Sequence, residues 1–367
     1  MKKFTLFLIH GIGIHRSAGW AEATIDLMQT AWARSVNLSG PMLDYVTIVP
    51  ITYDEVFESY LNDFSDVSSA VLSDALELSS EQRASINKSI DELKSSPEAN
   101  DKHFIFSYIF DVLLYKMALV KEQVNVVVAK QLYEHISALG TQDSFGIVAH
   151  SLGTRVINDT LQNIRSGNAN EANFYKQGYR LKFLMQISDV TDLFGLPFKQ
   201  DKYPPKDVYS YDTYDYLRTV TNRFDPIARI IPTRLDHWPK GRLNEEYLGR
   251  PAYKDILLDH VHEVNVHGLT HYMLHPEITD EIFELCGFGR RLIDRNSRRA
   301  SFPPLGPSVN PSLKVALENL MLDTFGLAND TWQTYINLVI KHGEFEGHYS
   351  HDGEHNGEHN GKHDHIA

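Results

Sequence analysis

The segment that most constrains the fold is an apolar run that ends in a small-x-Ser-x-Gly turn and continues into a helical pattern, from Phe145 to Arg155. A serine at such a strand-to-helix turn needs small residues two positions away on either side, because larger side chains would collide with the strained backbone. Ala149 and Gly153 meet this requirement. The pattern predicts that Ser151 lies at the end of a strand, beside the first N–H groups of the following helix.

Strand-like runs alternate with helical patterns along the chain, which is typical of a parallel sheet flanked by helices. The predicted strands are Phe4–Ile9, Tyr45–Ile51, Phe145–Ala149, Leu181–Ile187, Leu217–Thr221 and Glu263–Val266. A long first helix is predicted from about Ala18 to Val36, with Trp20 and Trp32 in the core. We therefore predict an α/β fold with a mainly parallel sheet of about six strands.

The interval between the second and third predicted strands is far longer than a usual connection. Residues 55–140 are first polar and acidic, then apolar with helical patterns. We interpret them as a helical cap inserted into a core of residues 1–54 and 141–288, with the last helix returning to the sheet. A surface hairpin with no role in binding and a lid that opens onto lipid are the alternatives.

The chain after residue 288 departs from this pattern. Residues 289–345 contain an arginine-rich run, Pro303-Pro304 and two amphipathic helical patterns, at Leu313–Phe325 and Trp332–Ile340. We interpret the arginines as a solvated linker, with a site for anionic headgroups as the alternative. Residues 346–367 form an irregular histidine-rich tail, for which we expect disorder and only weak, adventitious metal binding.

Composition excludes several classes of function. The 367 residues are 42% hydrophobic, enough for a large core, and a formal net charge of −13 argues against nucleic acid as a partner. The single cysteine, Cys286, excludes an intramolecular disulfide and a cysteine zinc cluster. No apolar run approaches the roughly 18 residues of a membrane span, and the short run after Lys2-Lys3 fits a core strand better than a signal peptide. We expect a soluble, cytoplasmic protein.

Three further features accompany the serine turn. His10-Gly11 follows the first strand, Asp225-Pro226 follows a late strand, and a histidine cluster lies beyond it. This order resembles the α/β-hydrolase superfamily, most closely its serine esterases and lipases, over about residues 3 to 285. The resemblance implies an α/β-hydrolase fold and cleavage of carboxylic esters through a Ser-His-Asp triad and an acyl-enzyme intermediate. It implies no cofactor and no metal, and its expected partner is a small-molecule or lipid ester.

The resemblance also assigns a role to each candidate residue. Ser151 is the expected nucleophile, His271 the base, and Asp225 the carboxylate that orients the base. In this family the residue after His-Gly and the residue after the nucleophile supply the N–H groups of the oxyanion hole. In this sequence those residues are Ile12 and Leu152.

Alternatives stay open for the acid, the base and the function. Asp189 and Asp192 follow the preceding strand and compete with Asp225. The other histidines of the cluster are, in order of preference for the base, His267 and His275, while His260 and His262 precede the predicted last strand and are expected to be solvated. The alternative function is a non-catalytic protein of the same fold that binds through its cap, arginine run or tail.

Overall fold

In a computed structural model, the protein is described over residues 2–11, 19–63, 115, 118–140, 143–166, 178–190, 214–225, 246–247, 249–260, 262 and 266–294. Several predictions fall outside these ranges. They concern Ile12, Asp192, most of the 55–140 insertion, both helices predicted after residue 294, and the histidine-rich tail.

Six strands form one parallel sheet, and two further strands of two residues each form a separate antiparallel pair. In chain order the strands are β1 (Phe4–Ile9), β2 (Val46–Ile51), β3 (Ser144–His150), β4 (Arg180–Ile187), β5 (Tyr216–Asn222), β6 (Glu246–Tyr247), β7 (Arg250–Pro251) and β8 (Tyr253–Leu258). The large sheet has the order β2-β1-β3-β4-β5-β8, and β6 pairs with β7. The predicted parallel sheet of about six strands flanked by helices is therefore confirmed.

The helices follow the strands with which they pack. They are α1 (Trp20–Ser35), α2 (Asp54–Asp63), α3 (Ala118–Ile136), α4 (Leu152–Ser166), α5 (Leu269–Met273) and α6 (Pro276–Phe283). Short helical turns span Met42–Asp44, Glu284–Phe288 and Gly289–Arg291. None of the helices in the described ranges is long and apolar enough to cross a bilayer.

The sheet is covered on both faces, which is why its central strands are nearly continuous apolar runs. Side chains alternate between two core clusters along β1: Phe7 and Ile9 pack with α3 and α4, whereas Leu6 and Leu8 pack with α1, α5 and α6. The central strand β3 is buried from Phe145 to its end. The strand that leads to Ser151 is therefore enclosed between two layers of helices.

Five of the six predicted strands are confirmed. The sixth strand of the sheet is Tyr253–Leu258, which precedes the predicted segment Glu263–Val266. Residues 263–265 lie outside the described ranges, and Val266 lies in a turn. The true strand is at the sheet edge, where only Ile256 and Leu258 are buried, so charged residues interrupt the apolar run that would have marked it.

The last part of the predicted cap segment packs on the sheet. In α3, Val120, Val124 and Leu132 are fully buried in the same cluster as α4. An ion pair also joins the two helices: Lys121 Nζ of α3 lies 3.2 Å from Asp159 Oδ2 of α4, and the same carboxylate accepts a hydrogen bond from Arg155 Nε within α4 at 2.8 Å. α3 therefore flanks the sheet next to the helix that follows Ser151.

The first predicted helix is confirmed with bounds Trp20–Ser35. Trp32 is buried and makes edge contacts with Phe283 and Phe288, as predicted for a core residue. Trp20 is only half-buried, and its ring lies 5.0 Å from the ring of His10 at the end of β1. The helix therefore covers one face of the sheet and begins close to the carboxyl ends of the strands.

Candidate active site

Ser151 occupies the turn between β3 and α4 with a backbone that few residues adopt. Its φ of 53° is in the left-handed region, which is strained for a residue with a side chain. Its N–H donates to the carbonyl oxygen of Ile187 at 2.9 Å, which extends the pairing of β3 with β4 into the turn. The turn is therefore held by the sheet itself, and Ser151 is only 1% exposed.

Two glycines allow the end of β1 to pack directly against this turn. A Cβ on Gly153 would lie 2.3 Å from the backbone oxygen of His10, and a Cβ on Gly11 would lie 2.4 Å from Cβ of Ser151. No side chain larger than hydrogen fits at either position without moving the backbone. The His10-Gly11 pair and the serine turn, which the sequence separates widely, are therefore in van der Waals contact.

His267 is the histidine that contacts Ser151. Its Nε2 lies 2.8 Å from Ser151 Oγ, and its Nδ1 lies 2.9 Å from Asp225 Oδ2 and 3.1 Å from Oδ1. The carboxylate accepts a hydrogen bond from the Nδ1–H group, which leaves the Nε2 lone pair facing the serine hydroxyl. The structure thus brings Ser151 and Asp225 together through His267, which was the second choice from the sequence.

The prediction that His271 contacts Ser151 is wrong. His271 lies within α5, and this short helix carries its ring to the end of β5, where Nε2 lies 3.1 Å from Asn222 Nδ2. His267 precedes the helix, in the loop that reaches the end of β3. The proximity of the two histidines in sequence concealed this difference, because the start of α5 decides which ring reaches the serine.

Asp225 is fully buried and is surrounded by hydrogen-bond donors. Burial by itself would raise the pKa of this carboxyl. The His267 ring, with hydrogen bonds from His267, Ser188 and Tyr272, outweighs burial and holds the pKa of Asp225 well below its usual value. Asp225 is therefore ionised at neutral pH, as a carboxylate that orients an imidazole must be.

Three side chains that the sequence did not point to surround the contacts between Ser151, His267 and Asp225. Ser188 Oγ and Tyr272 Oη each donate to Asp225 Oδ2 at 2.6 Å. His150 Nε2 donates to the backbone oxygen of His267 at 2.6 Å. The only sequence signal for any of them was position: His150 directly precedes the candidate nucleophile, and Ser188 directly follows a predicted strand.

Of the two alternative acids, the structure describes only Asp189. Asp189 is buried after β4, but its Oδ1 lies 2.8 Å from Thr154 Oγ1 on α4. The same hydroxyl lies 2.6 Å from the backbone oxygen of Ser151. Asp189 thus supports the start of α4, whereas Asp192 lies outside the described residues.

Three other candidate histidines, His262, His271 and His275, lie together beside the site. The rings of His262 and His275 have centroids 4.4 Å apart, and His271 Nε2 lies 3.4 Å from His275 Nε2. Burial lowers the pKa of His271 to about 3 and that of His275 to about 2, and neighbouring histidines add to both shifts. Burial lowers the pKa of His262 as well, although the sequence predicted that His262 would be solvated.

No three His, Cys, Asp or Glu side chains are arranged to hold a metal ion in the part of the chain that the structure describes. Because their pKa values are lowered, His262, His271 and His275 are neutral at pH 7. The histidine-rich tail lies outside the described residues.

One of the two predicted oxyanion-hole positions can be located. Leu152 is the first residue of α4 and is fully buried, so its N–H belongs to the helix turn in which backbone donors lack intrahelical partners. Ile12 lies outside the described residues, but the adjoining Gly11 packs on Ser151. The arrangement of a serine, an imidazole nitrogen and a buried carboxylate can activate a hydroxyl for attack on an electrophilic carbon.

Comparison of the chain with protein-family models, with curated proteins and with solved structures finds no match.

Proposed function

We propose that this protein is a serine hydrolase of the α/β-hydrolase type that cleaves carboxylic esters. The observation that carries the proposal is the pair of contacts made by His267, 2.8 Å to Ser151 Oγ and 2.9 Å to Asp225 Oδ2. The order of the residues supports it as well. The serine follows the central strand, the acid follows β5 and the histidine follows the last strand, which is the order Ser, Asp, His of that superfamily.

In the proposed reaction, Ser151 Oγ attacks the ester carbonyl carbon while its proton moves to His267 Nε2. Asp225 holds the ring through Nδ1 and stabilises the imidazolium that forms. The backbone N–H groups of Leu152 and Ile12 would stabilise the oxyanion. As the tetrahedral intermediate collapses, the C–O bond to the alcohol breaks and the alcohol takes the proton from His267. Water then attacks the acyl-enzyme by the same steps and releases the acid.

A fluorophosphonate probe tests the nucleophile directly, because it forms a covalent bond only with an activated serine. We expect labelling of the wild-type protein and none of Ser151→Ala. Ser166→Ala is the matched control, since this exposed serine at the end of α4 only donates to the Asn163 carbonyl. Labelling of Ser151→Ala as strong as that of the wild type would contradict the proposal, as would no labelling of a folded wild-type protein.

Hydrolysis of p-nitrophenyl esters then defines the substrate class. Ser151 is almost wholly buried, so the protein around it limits which esters reach its hydroxyl. We expect the short acetyl and butyryl esters to react, and their rate relative to long-chain esters to report the length of the acyl pocket. Turnover that persists in Ser151→Ala would assign it to another group.

A further inference from the structure

Ser188 has the same backbone conformation as the proposed nucleophile. The two residues with positive φ other than glycine in the described ranges are Ser151, at 53°, and Ser188, at 51°. Each directly follows a strand, β3 and β4 respectively, and these strands are neighbours in the sheet. Each hydroxyl also lies against the same ring: Ser151 Oγ is 2.8 Å from Nε2 of His267, and Ser188 Oγ is 3.0 Å from its Nδ1.

The strained backbone at Ser188 indicates that this position needs the serine hydroxyl, because glycine would fit the backbone without strain. A residue with a Cβ at this φ costs about 1 kcal/mol or more relative to glycine. Glycine would satisfy the backbone at this turn, where the Ser188 N–H donates to the Val220 carbonyl at 2.8 Å. The hydroxyl, by contrast, makes contacts that glycine cannot make, and it is fully buried.

The hydrogen bonds of the Ser188 hydroxyl show its role. Its single proton is donated to Asp225 Oδ2 at 2.6 Å. Its oxygen lone pairs then face His267 Nδ1, which carries a proton shared with the Asp225 carboxylate. The hydroxyl therefore bonds both members of the pair, and of the two neutral tautomers of the imidazole it accepts only from the one that leaves Nε2 free to accept the Ser151 proton.

We propose that Ser188 is a positioning residue for this triad, which holds the Asp225 carboxylate and fixes the His267 tautomer through one hydroxyl. The inference rests on the proposed function. It makes Ser188 the second serine required at the site, acting through Asp225 and His267 without contact with the substrate.

Two variants separate the hydroxyl from the backbone. Ser188→Gly removes the hydroxyl and relieves the strain, whereas Ser188→Ala removes the hydroxyl and keeps the strain. We expect both to react with the fluorophosphonate roughly tenfold to a hundredfold more slowly than the wild type, the scale of a hydrogen bond to a charged group. Ser188→Gly should nevertheless have a higher Tm than Ser188→Ala, because glycine relieves the backbone strain that alanine keeps while both lack the hydroxyl. Wild-type reactivity of Ser188→Gly would overturn the inference and leave a merely structural serine.

A measurement that needs no activity keeps this inference distinct from the proposed function. In protein with 15N-labelled histidine, the Nδ1–H resonance of His267 is assigned by its loss in His267→Gln. We expect Ser188→Gly to shift this resonance in the Ser151→Ala background, while Ser166→Gly leaves it unchanged. An unshifted resonance would overturn the positioning role. Failure of the wild type to react with the probe would instead reject the proposed function, whatever the spectrum shows.

Discussion

The His150 ring donates a hydrogen bond from Nε2 to the backbone carbonyl oxygen of His267, at 2.6 Å. The residue before the proposed nucleophile thus holds the backbone of the residue that contacts the nucleophile. Both rings are buried, with centroids 5.0 Å apart. This contact fixes the loop after β8 against the end of β3, so that the His267 side chain has little freedom to leave Ser151.

This relationship predicts the effect of His150→Phe. Phenylalanine keeps a ring in the buried space but leaves the His267 carbonyl without its donor, at a cost of about 1–3 kcal/mol. We expect labelling of Ser151 by the fluorophosphonate to slow by roughly tenfold, measured as a second-order rate. His135→Phe, an exposed position on α3, is the control. An unchanged rate in His150→Phe would show that the loop is positioned without this bond.

His267 and His271 are distinguished by the same substitution at each position. Because only His267 contacts Ser151, His267→Gln should reduce kcat/KM for a p-nitrophenyl ester by at least about a thousandfold. His271→Gln should stay within roughly threefold of the wild type once the protein is folded, since glutamine can still accept from Asn222. The reverse order of effects would restore His271 as the base and reject the geometry of the site.

Gly153 is predicted to be irreplaceable for steric reasons. In Gly153→Ala the new Cβ would lie 2.3 Å from a backbone oxygen, which a rotamer change cannot relieve. We expect a loss of about 1–3 kcal/mol in the free energy of unfolding, measured in urea, together with loss of labelling. Gly140→Ala is the control, because its Cβ would meet only the ends of flexible Asp143 and Lys2 side chains. A Gly153→Ala protein as stable as the control would contradict the close packing of β1 on the turn.

The buried histidines predict that stability falls in acid. The pKa values of His271 and His275, about 3 and about 2, are below the usual 6.5, so the unfolded chain binds these protons first. The free energy of unfolding should therefore fall as pH drops from 6.5 towards 3, by up to about 1.4 kcal/mol per pH unit for each group. The lowered pKa of Asp225 adds a loss below pH 3.8.

Urea unfolding at several pH values checks this prediction. The double variant His271→Gln, His275→Gln should show a shallower fall between pH 6.5 and pH 4 than the wild type. Equal slopes for the two proteins would mean that these rings are accessible to protons in the native state.

Much of the fold was predictable because its determinants are local. The central strands are apolar runs buried on both faces, and Ala149 and Gly153 around Ser151 mark the strand-to-helix turn. Asp225 could be chosen because it follows a late strand, and the structure brings it to the histidine. The edge strand Tyr253–Leu258 was not predicted because only one of its faces is buried and charged side chains lie on the other.

The local sequence could not identify which histidine contacts Ser151. His267 and His271 are four residues apart in one short stretch of sequence, and neither has a neighbour that marks it as the base. Only the folded chain shows that α5 starts at Leu269, which directs His271 to Asn222 and leaves His267 at the end of β3. The roles of His150, Ser188 and Tyr272 were hidden for the same reason, since each depends on partners from distant strands.

The sequence by itself determined the parallel sheet, the position of Ser151 at the end of the central strand, and the need for glycine at position 153. It could do so because apolar periodicity and backbone sterics act between residues that are close in the chain. Tertiary structure decided which histidine meets the serine, which hydroxyls hold Asp225, and which imidazoles stay neutral. Those outcomes depend on hydrogen bonds and desolvation that exist only once strands distant in the chain lie side by side.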